Sequence, residues 1–483
     1  MIRKLLVIAG LLAVWLPVSA QNASRTLSLK ECVDIALEKN LRVKRSLYNV
    51  QSANVGLWQA KMAFLPTLNL GGSYGQNYGR AINPVTNQFI NRDNNTLNAQ
   101  VTSQLTLFNG LRLQNSFRQN RRDLDASNED LQKAKNDVII NVVTLYINVI
   151  FNKELYENAR FQLASSQQQL DRIKKQVAAG SLPKANELNQ EAQVATNEVN
   201  LVNQENALNL SLLQLKQALQ IPGSELVDVV VPELSVEDMV IDQTSEEVYQ
   251  MALKEMPEIK SAVLRVESAQ LALRASKGNL LPRLSLSGSA TSNYSSANRD
   301  LQIPTGTPDL VPTNQPIGFF DFNGTAVPVL GYQFNQQFTT REYGQIDQMK
   351  DNLFKNLSLT LQIPLFNNWQ SRGAVQRAAI NTEVARINEI EAQNTLRQTI
   401  ESAYNDALAA SKTYSSSLKQ VNAREEAYRM NQQRFELGAI NFVEYQISEN
   451  DLFQAKSDLT RAKYNFIFRK KILDFYQGKP IDY

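Results

Sequence analysis

"NLLPRLSLSGSATSNY" occupies residues 279–294, and "AFLPTLNLGGSYGQNY" occupies residues 63–78. Each leaves a stretch of helical spacing, passes through Leu-Pro and enters strict apolar–polar alternation. Proline disfavours helical backbone in the residue before it, so Leu65-Pro66 and Leu281-Pro282 each end a helix. The alternation that follows is that of a strand with two unlike faces.

The likeness extends outward from these two stretches. "VDIALEKN" (33–40) matches "YQMALKEM" (249–256), and the two Leu-Pro pairs match at the same offset of 216. "QLTLFNGL" (104–111) matches "QIPLFNNW" (362–369) at an offset of 258, as Gly180 matches Gly438. The chain is therefore a duplication, and the 42 residues separating the two offsets are an insertion within 295–350. Each copy reads helix, strand, long loop, strand, long helix, tip, helix. The strands are expected at about 67–79, 97–108, 283–294 and 353–366, and the first helices at about 28–64 and 245–280. Asn109 and Asn367 are placed to cap the helices after the second strands. The first copy spans 21–221, a proline-bearing connector spans 222–245, and the second copy spans 246–483.

All four strands pair an apolar face with a face of Ser, Thr, Asn, Gln and Gly. Leu68, Leu70 and Tyr74 oppose Thr67, Asn69 and Ser73. Leu97, Val101, Leu105 and Leu107 oppose Asn98, Gln100 and Gln104. Leu284 and Leu286 oppose Ser285 and Ser287, and Leu357, Leu359 and Leu361 oppose Asn356, Ser358 and Thr360. A solvent face normally carries more Lys and Glu. Strands of about ten residues with lipid on one side and water on the other suit an outer-membrane barrel. Open strand edges are not tolerated in lipid, and about eight strands are the practical minimum for closure, so four strands must be completed by other copies.

The stretch 111–178 contains no proline and repeats apolar residues every seven: Val142, Val149, Tyr156, Leu163, Leu170 and Val177. Ala407, Tyr414, Val421, Tyr428 and Phe435 repeat likewise in copy two, and Leu201, Leu208, Leu215 and Leu459, Phe466, Leu473 do so in the return helices. Sustained heptads imply coiled-coil packing, either as a wall of helices wet on both faces or as an ordinary antiparallel coiled coil.

Arg3 and Lys4, an apolar run from Leu5 to Leu16 and "PVSA" (17–20) have the order of a secretory signal peptide over 1–20, with Gln21 as the mature terminus. The net charge of +3 is too small to argue for nucleic acid. No histidine is present and Cys32 is the one cysteine, which removes the usual raw material of metal, thiol and imidazole chemistry. No phosphate-binding or nucleophile motif appears.

Leader, duplicated unit, "LP" before strands and "LFN" after them together resemble the TolC family of outer membrane efflux factors. "VAAGSLPKANEL" (177–188) and "FELGAINFVEYQ" (435–446) are similar to that family's periplasmic hairpin turns. The resemblance implies an α+β membrane protein: a homotrimer whose chains each give four strands to a twelve-stranded β-barrel, continued by a long α-helical coiled-coil tunnel in the periplasm. The connector and the C-terminal tail belong to an equatorial girdle in that picture. It also implies an outer membrane location in a Gram-negative envelope and passive conduction without catalysis or cofactor. Its partners would be a periplasmic adaptor protein, an inner-membrane pump and the surrounding lipid.

The adaptor-contacting tips, at about 178–186 and 436–445, are then Gly180, Ser181, Leu182, Gly438, Ala439 and Ile440. The family closes its entrance with a tyrosine, an arginine and two acidic residues near the second tip. Those positions correspond here to Phe435, Ile440, Glu444 and Ile447, of which Glu444 alone keeps its character. Charge therefore gives way to apolar packing as the candidate closure. For Glu444 itself two readings stand: a threefold carboxylate ring, or a solvated helix charge. A secreted coiled-coil structural or adhesin-like protein is the competing reading of the whole chain, and a periplasmic hydrolase is a more distant one.

Overall fold

Period-two spacing and period-3.6 spacing divide this chain cleanly, and its elements follow the division. The structure, a computed structural model, describes residues 25–82, 87–91, 93–231, 241–298 and 300–479. The expected leader 1–20 and Gln21, residues 232–240 of the connector and the last four residues of the tail lie outside them. The elements are β1 (Arg25–Leu27), α1 (Leu29–Lys39), α2 (Leu41–Met62), β2 (Thr67–Asn77), β3 (Arg80–Ile82), β4 (Phe89–Asn91), β5 (Asn94–Phe108), α3 (Arg112–Ala178), α4 (Lys184–Ala218) and β6 (Val227–Val229) in the first part of the chain. Then come α5 (Ser245–Glu255), α6 (Pro257–Lys277), β7 (Arg283–Ser295), β8 (Asp300–Phe322), β9 (Thr325–Glu342), α7 (Gln345–Asp351), β10 (Phe354–Gln362), α8 (Gln370–Glu436) and α9 (Phe442–Tyr476). Contacts group them into two units.

The first unit takes the chain up to Leu57, Arg118–Leu271 and Ala378 onward. The single helices expected at 28–64 and 245–280 are each two helices here. The backbone turns extended at Asn40 (ψ 129°) and Met256 (ψ 127°). Asn40 Oδ1 accepts from Arg42 N, and Pro257 pushes Met256 out of the helical region. Both first helices begin with the same capping box, Ser28 with Glu31 and Thr244 with Glu247. In each, the glutamate accepts from the backbone N–H of the capping residue at 2.8 Å.

β1 and β6 pair in parallel, Leu27 opposite Val229, and cover the apolar middle of α3. Val142, Val143, Tyr146, Val149 and Ile150 are buried there with Cys32, Leu215 and Ile467. Tyr146 Oη lies 2.6 Å from the Val230 carbonyl and 3.3 Å from that of Leu27, so one phenol ties both strands to the helix. Burial pushes that phenol up to about 12. Nearer the tips the buried row of α3 changes. Val142 and Val149 are buried as the heptads predict, but Ala159, Ser166 and Ile173 then take the inner position while Tyr156, Leu163 and Leu170 are half-buried. Small and hydrogen-bonding residues fill the interior of this stretch: Gln190 Nε2 donates to the Ser166 carbonyl at 2.9 Å.

The second unit comprises Trp58–Phe117 and Ala272–Arg377. Its four-stranded sheet is antiparallel throughout, in the order β10-β7-β5-β2. The two copies thus lie side by side and join at β5–β7. β2 and β10 are the outer strands, with no strand beyond them among the described residues. Rows across the sheet keep the two faces apart. Tyr74, Leu97 and Tyr294 lie opposite one another, as do Leu105, Leu286 and Leu359. On the other face Thr67, Gln104, Ser287 and Ser358 form one row, and Asn69, Thr102, Ser289 and Asn356 the next. Leu107 does not join the apolar face through simple alternation. A bulge between Thr106 and Phe108 sets Phe108 opposite Leu284 instead, because one extra residue reverses the facing of all that follow.

β10 ends at Gln362, short of the expected 366, since Pro364 has no N–H to give a ladder. Asn109 Oδ1 accepts from Leu113 N, and Asn367 Oδ1 from Ser371 N, so both caps span two left-handed residues, Gly110-Leu111 and Asn368-Trp369. Gly110 also meets Gly278 backbone to backbone: a Cβ on Gly110 would stand 2.5 Å from the Gly278 carbonyl oxygen. The region expected as a long loop, 295–350, is mostly strand: β8 and β9 form their own antiparallel ribbon.

Candidate functional site

Both hairpin tips are built the same way. The α3 helix ends with Gly180 at φ 72° and the α8 helix with Gly438 at φ 71°, the left-handed backbone that glycine adopts without strain. Ser181 N donates to the Gln176 carbonyl at 2.8 Å and Ala439 N to the Arg434 carbonyl at 2.7 Å. These six-to-one bonds are the Schellman closure of a helix C-terminus. The return helices start differently. Pro183 precedes α4 without a side-chain cap, whereas Asn441 caps α9 by accepting from Glu444 N at 2.9 Å. Asn441 Nδ2 donates in turn to Glu444 Oε1 at 2.9 Å.

Behind the turns the two tips share one small core. Ile173, Ile440, Phe442 and Tyr445 are buried, with Val177, Leu182, Tyr428 and Phe435 packed against them. Phe435 stacks on Tyr445 at 5.0 Å between ring centroids and lies 5.9 Å from Phe442. The hydroxyls of Tyr428 and Tyr445 are 3.0 Å apart. Burial raises the Tyr445 phenol, and its hydrogen bond with Tyr428 raises it further; both phenols are neutral at physiological pH, and one donates to the other.

The four entrance candidates therefore divide. Phe435 and Ile440 are turned into the tip core, and Glu444 and Ile447 are exposed on α9. Of the adaptor-contact candidates, Gly180, Ser181, Gly438 and Ala439 are exposed, Leu182 is half-buried and Ile440 is buried. A turn from the tip core sits a polar layer that sequence reasoning did not single out. Glu449 is buried, accepts from Ser165 Oγ at 3.3 Å, and has its carboxyl raised above the ordinary range by burial. Gln193 exchanges bonds with Asn450 and accepts from Gln446 Nε2 at 3.1 Å. The heptad spacing of Tyr428 and Phe435 marked a seam, but nothing in it showed that they meet Phe442 and Tyr445 of the return helix in one core. The polar layer had no readable signal, because burial of Glu or Gln depends on which helices meet there.

The other candidate surface is the polar face of the sheet. Thr67, Asn69, Gln104, Ser287, Ser289 and Asn356 line a shallow depression there, and Ser287 Oγ and Ser358 Oγ are 2.7 Å apart. Its strands carry hydroxyls and amides able to contact water or a passing solute, and no acid–base pair. Among the described residues no group of three or more acidic, cysteine or histidine side chains could hold a metal.

A family model described as outer membrane efflux protein matches residues 32–219 and 248–467. Comparison with individual curated proteins gives no match. Among solved structures, the outer membrane protein VceC of Vibrio cholerae superposes with a TM-score of 0.72 at 12% identity, over 94% of this chain and 97% of that one. The Campylobacter jejuni CmeC outer membrane channel gives 0.68 at 16% identity, over 94% and 87%. The open state of the Neisseria gonorrhoeae MtrE outer membrane channel gives 0.62 at 15% identity, over 93% and 88%. At these identities the likeness is one of fold.

Proposed function

This chain belongs to the outer membrane efflux protein family, and on that premise we propose that it is the outer-membrane exit duct of a tripartite efflux or type I secretion system. The family is one of outer membrane efflux proteins, not of enzymes. In our reading three chains close a twelve-stranded barrel, the helices form the periplasmic tunnel, and substrates pass without chemical change. Substrate selection and energy come from an inner-membrane pump, reached through an adaptor at the tips.

One observation carries the reading: a four-stranded sheet that is apolar and exposed on one face apart from Lys355, polar with the single charge of Arg283 on the other, and open at both edges among the described residues. Leu70, Leu357 and Leu359 are 81%, 75% and 62% exposed on the single chain. A soluble protein would not leave such a face bare. Lipid covers it, and a neighbouring copy pairs β2 with β10, leaving no unbonded backbone in the membrane. A secreted coiled-coil or adhesin-like protein would need the helices but has no use for this sheet.

The test is reconstitution. Purified in mild detergent, the protein should have the mass of three chains, and in a planar bilayer it should conduct ions. A protein that is soluble without detergent and silent in the bilayer would favour the structural-protein reading. At the tips, we place adaptor contact on the exposed turns around Gly180 and Gly438; Phe435 and Ile440 hold the tip itself together from within its core, which leaves the exposed Glu444 and Ile447 as the candidates to face the entrance.

A further inference from the structure

The β8–β9 ribbon, absent from the first copy, presents an unusual surface. Facing residues of an antiparallel pair share a side, so the pairs Leu310–Phe334, Pro312–Tyr332 and Phe319–Pro328 lie on one face. Leu330 and Phe338 belong to the same face through their pairing with Pro316 and Pro304. Phe334 is 75% exposed and Tyr332 69%. The reverse face is polar in its middle, with Asp309–Asn335, Thr305–Gln337 and Val311–Gln333, and turns apolar near the turn, at Phe320–Val327. No lysine or arginine occurs from 301 to 340.

Lipid does not suit this face. The ribbon is a two-stranded sheet with no further strand on either side among the described residues, and an unpaired backbone is costly in a bilayer. Its strands of 23 and 18 residues far exceed the roughly ten that cross an outer membrane. The ribbon also leaves the sheet at the end opposite the helices, since α2 and α6 lead into β2 and β7, and β5 and β10 lead out into α3 and α8. It therefore stands in water, where a bare aromatic face of this extent calls for a protein cover. Addition of a further strand along β8 is blocked. Pro304, Pro308, Pro312 and Pro316 recur every fourth residue, and proline is tolerated in a strand where its missing N–H would point outward. Cover must come face to face.

A second copy fits this requirement. The apolar face carries no cation, and its anions lie at its two ends, Asp300 and Glu342 at the base and Asp321 at the turn, so the aromatic middles of identical faces meet without charge repulsion. The ribbon also returns through α7 directly into β10, the outer strand that a neighbouring copy must approach. We propose that the Phe334 face of each ribbon packs against the same face of the neighbouring ribbons, forming an apolar cap over the external mouth of the barrel. This rests on the trimer reading above.

Disulfide trapping tests it on the full chain in outer-membrane preparations, with F334C and Q333C as adjacent positions on opposite faces. Cys32 is buried and does not compete. Oxidation should convert most F334C chains into a reducible band of twice the chain mass, with one chain in three left unpaired by symmetry, while Q333C stays single. Native mass is measured on both variants. Trimeric mass without the F334C band overturns the cap and leaves the trimer standing, as does an F334C adduct with a different protein. Equal trapping of F334C and Q333C also overturns it, because the faces would not differ. A monomeric mass removes the trimer reading and the cap together.

Discussion

Glu444 is held at the start of α9 by the Asn441 cap, with its carboxylate exposed. If threefold symmetry gathers the second tips at one axis, three such carboxylates concentrate cations at the entrance. E444Q should then reduce the cation preference of single channels recorded at low salt, where screening is weakest. An unchanged preference would leave Glu444 a solvated helix charge. Glu449 offers a separate test, being buried with Ser165 as its hydrogen-bond donor. Its carboxyl is raised in the folded protein above the ordinary 4.5 by burial. The folded state therefore holds that proton more tightly than the unfolded state. Its contribution to stability is intact below about pH 4.5 and is lost as pH rises through the raised folded value. E449Q, which keeps the shape without the charge, should melt higher than the native protein at pH 7, and the gain should vanish near pH 4. A gain that persists in acid would locate the effect in packing rather than ionisation.

At the scale of single elements, the strands make the sharpest prediction because their side chains alternate. Leu359 and Ser358 are neighbours in β10 with opposite facing. L359K places a charge on the lipid side, which costs about 2–4 kcal/mol near the bilayer midplane. S358K places the same charge on the water side. The first should deplete folded protein from the outer membrane fraction and the second should not. In the tips, F442A removes a buried ring from the shared core, a loss of about 3–5 kcal/mol for such a truncation. Limited proteolysis should then cut near 180 and 438 while the sheet stays resistant. Much of this was legible from sequence for a physical reason. Period-two alternation fixes which side of a strand each residue faces, so the spacing of Leu70, Leu286 and Leu359 was enough to assign them to one face. The bulge at Leu107 could not be assigned that way, since an extra residue leaves no mark in composition. The breaks at Asn40 and Met256 were hidden within continuous helical patterns, although Pro257 was a visible warning. At the tips the turn glycines were readable from backbone demands alone. The inward turn of Phe435 and Ile440 was not, because it depends on helices far apart in sequence meeting at one core.

For the molecule as a whole, the leader and the open edges set two expectations. N-terminal sequencing of protein from the outer membrane should begin at Gln21, and retention of Met1 would remove the argument for export. Mass in mild detergent should correspond to three chains, and a stable monomer would leave β2 and β10 without partners. The junction of the two copies at β5–β7 bears on the order of events as well. Thr96 pairs with Ser295 and Leu105 with Leu286, so the centre of the sheet is closed by residues almost two hundred positions apart. The β2–β5 hairpin is complete early in synthesis, yet it must wait for β7 to be exported before it gains a neighbour, and β10 follows later still. During that interval the first half of the chain carries an exposed apolar hairpin through an aqueous compartment, a state prone to aggregation. Biogenesis of this protein should accordingly depend on periplasmic chaperones that hold a half-made chain, and a ribosome stalled between the two copies should yield a product that is degraded, not inserted.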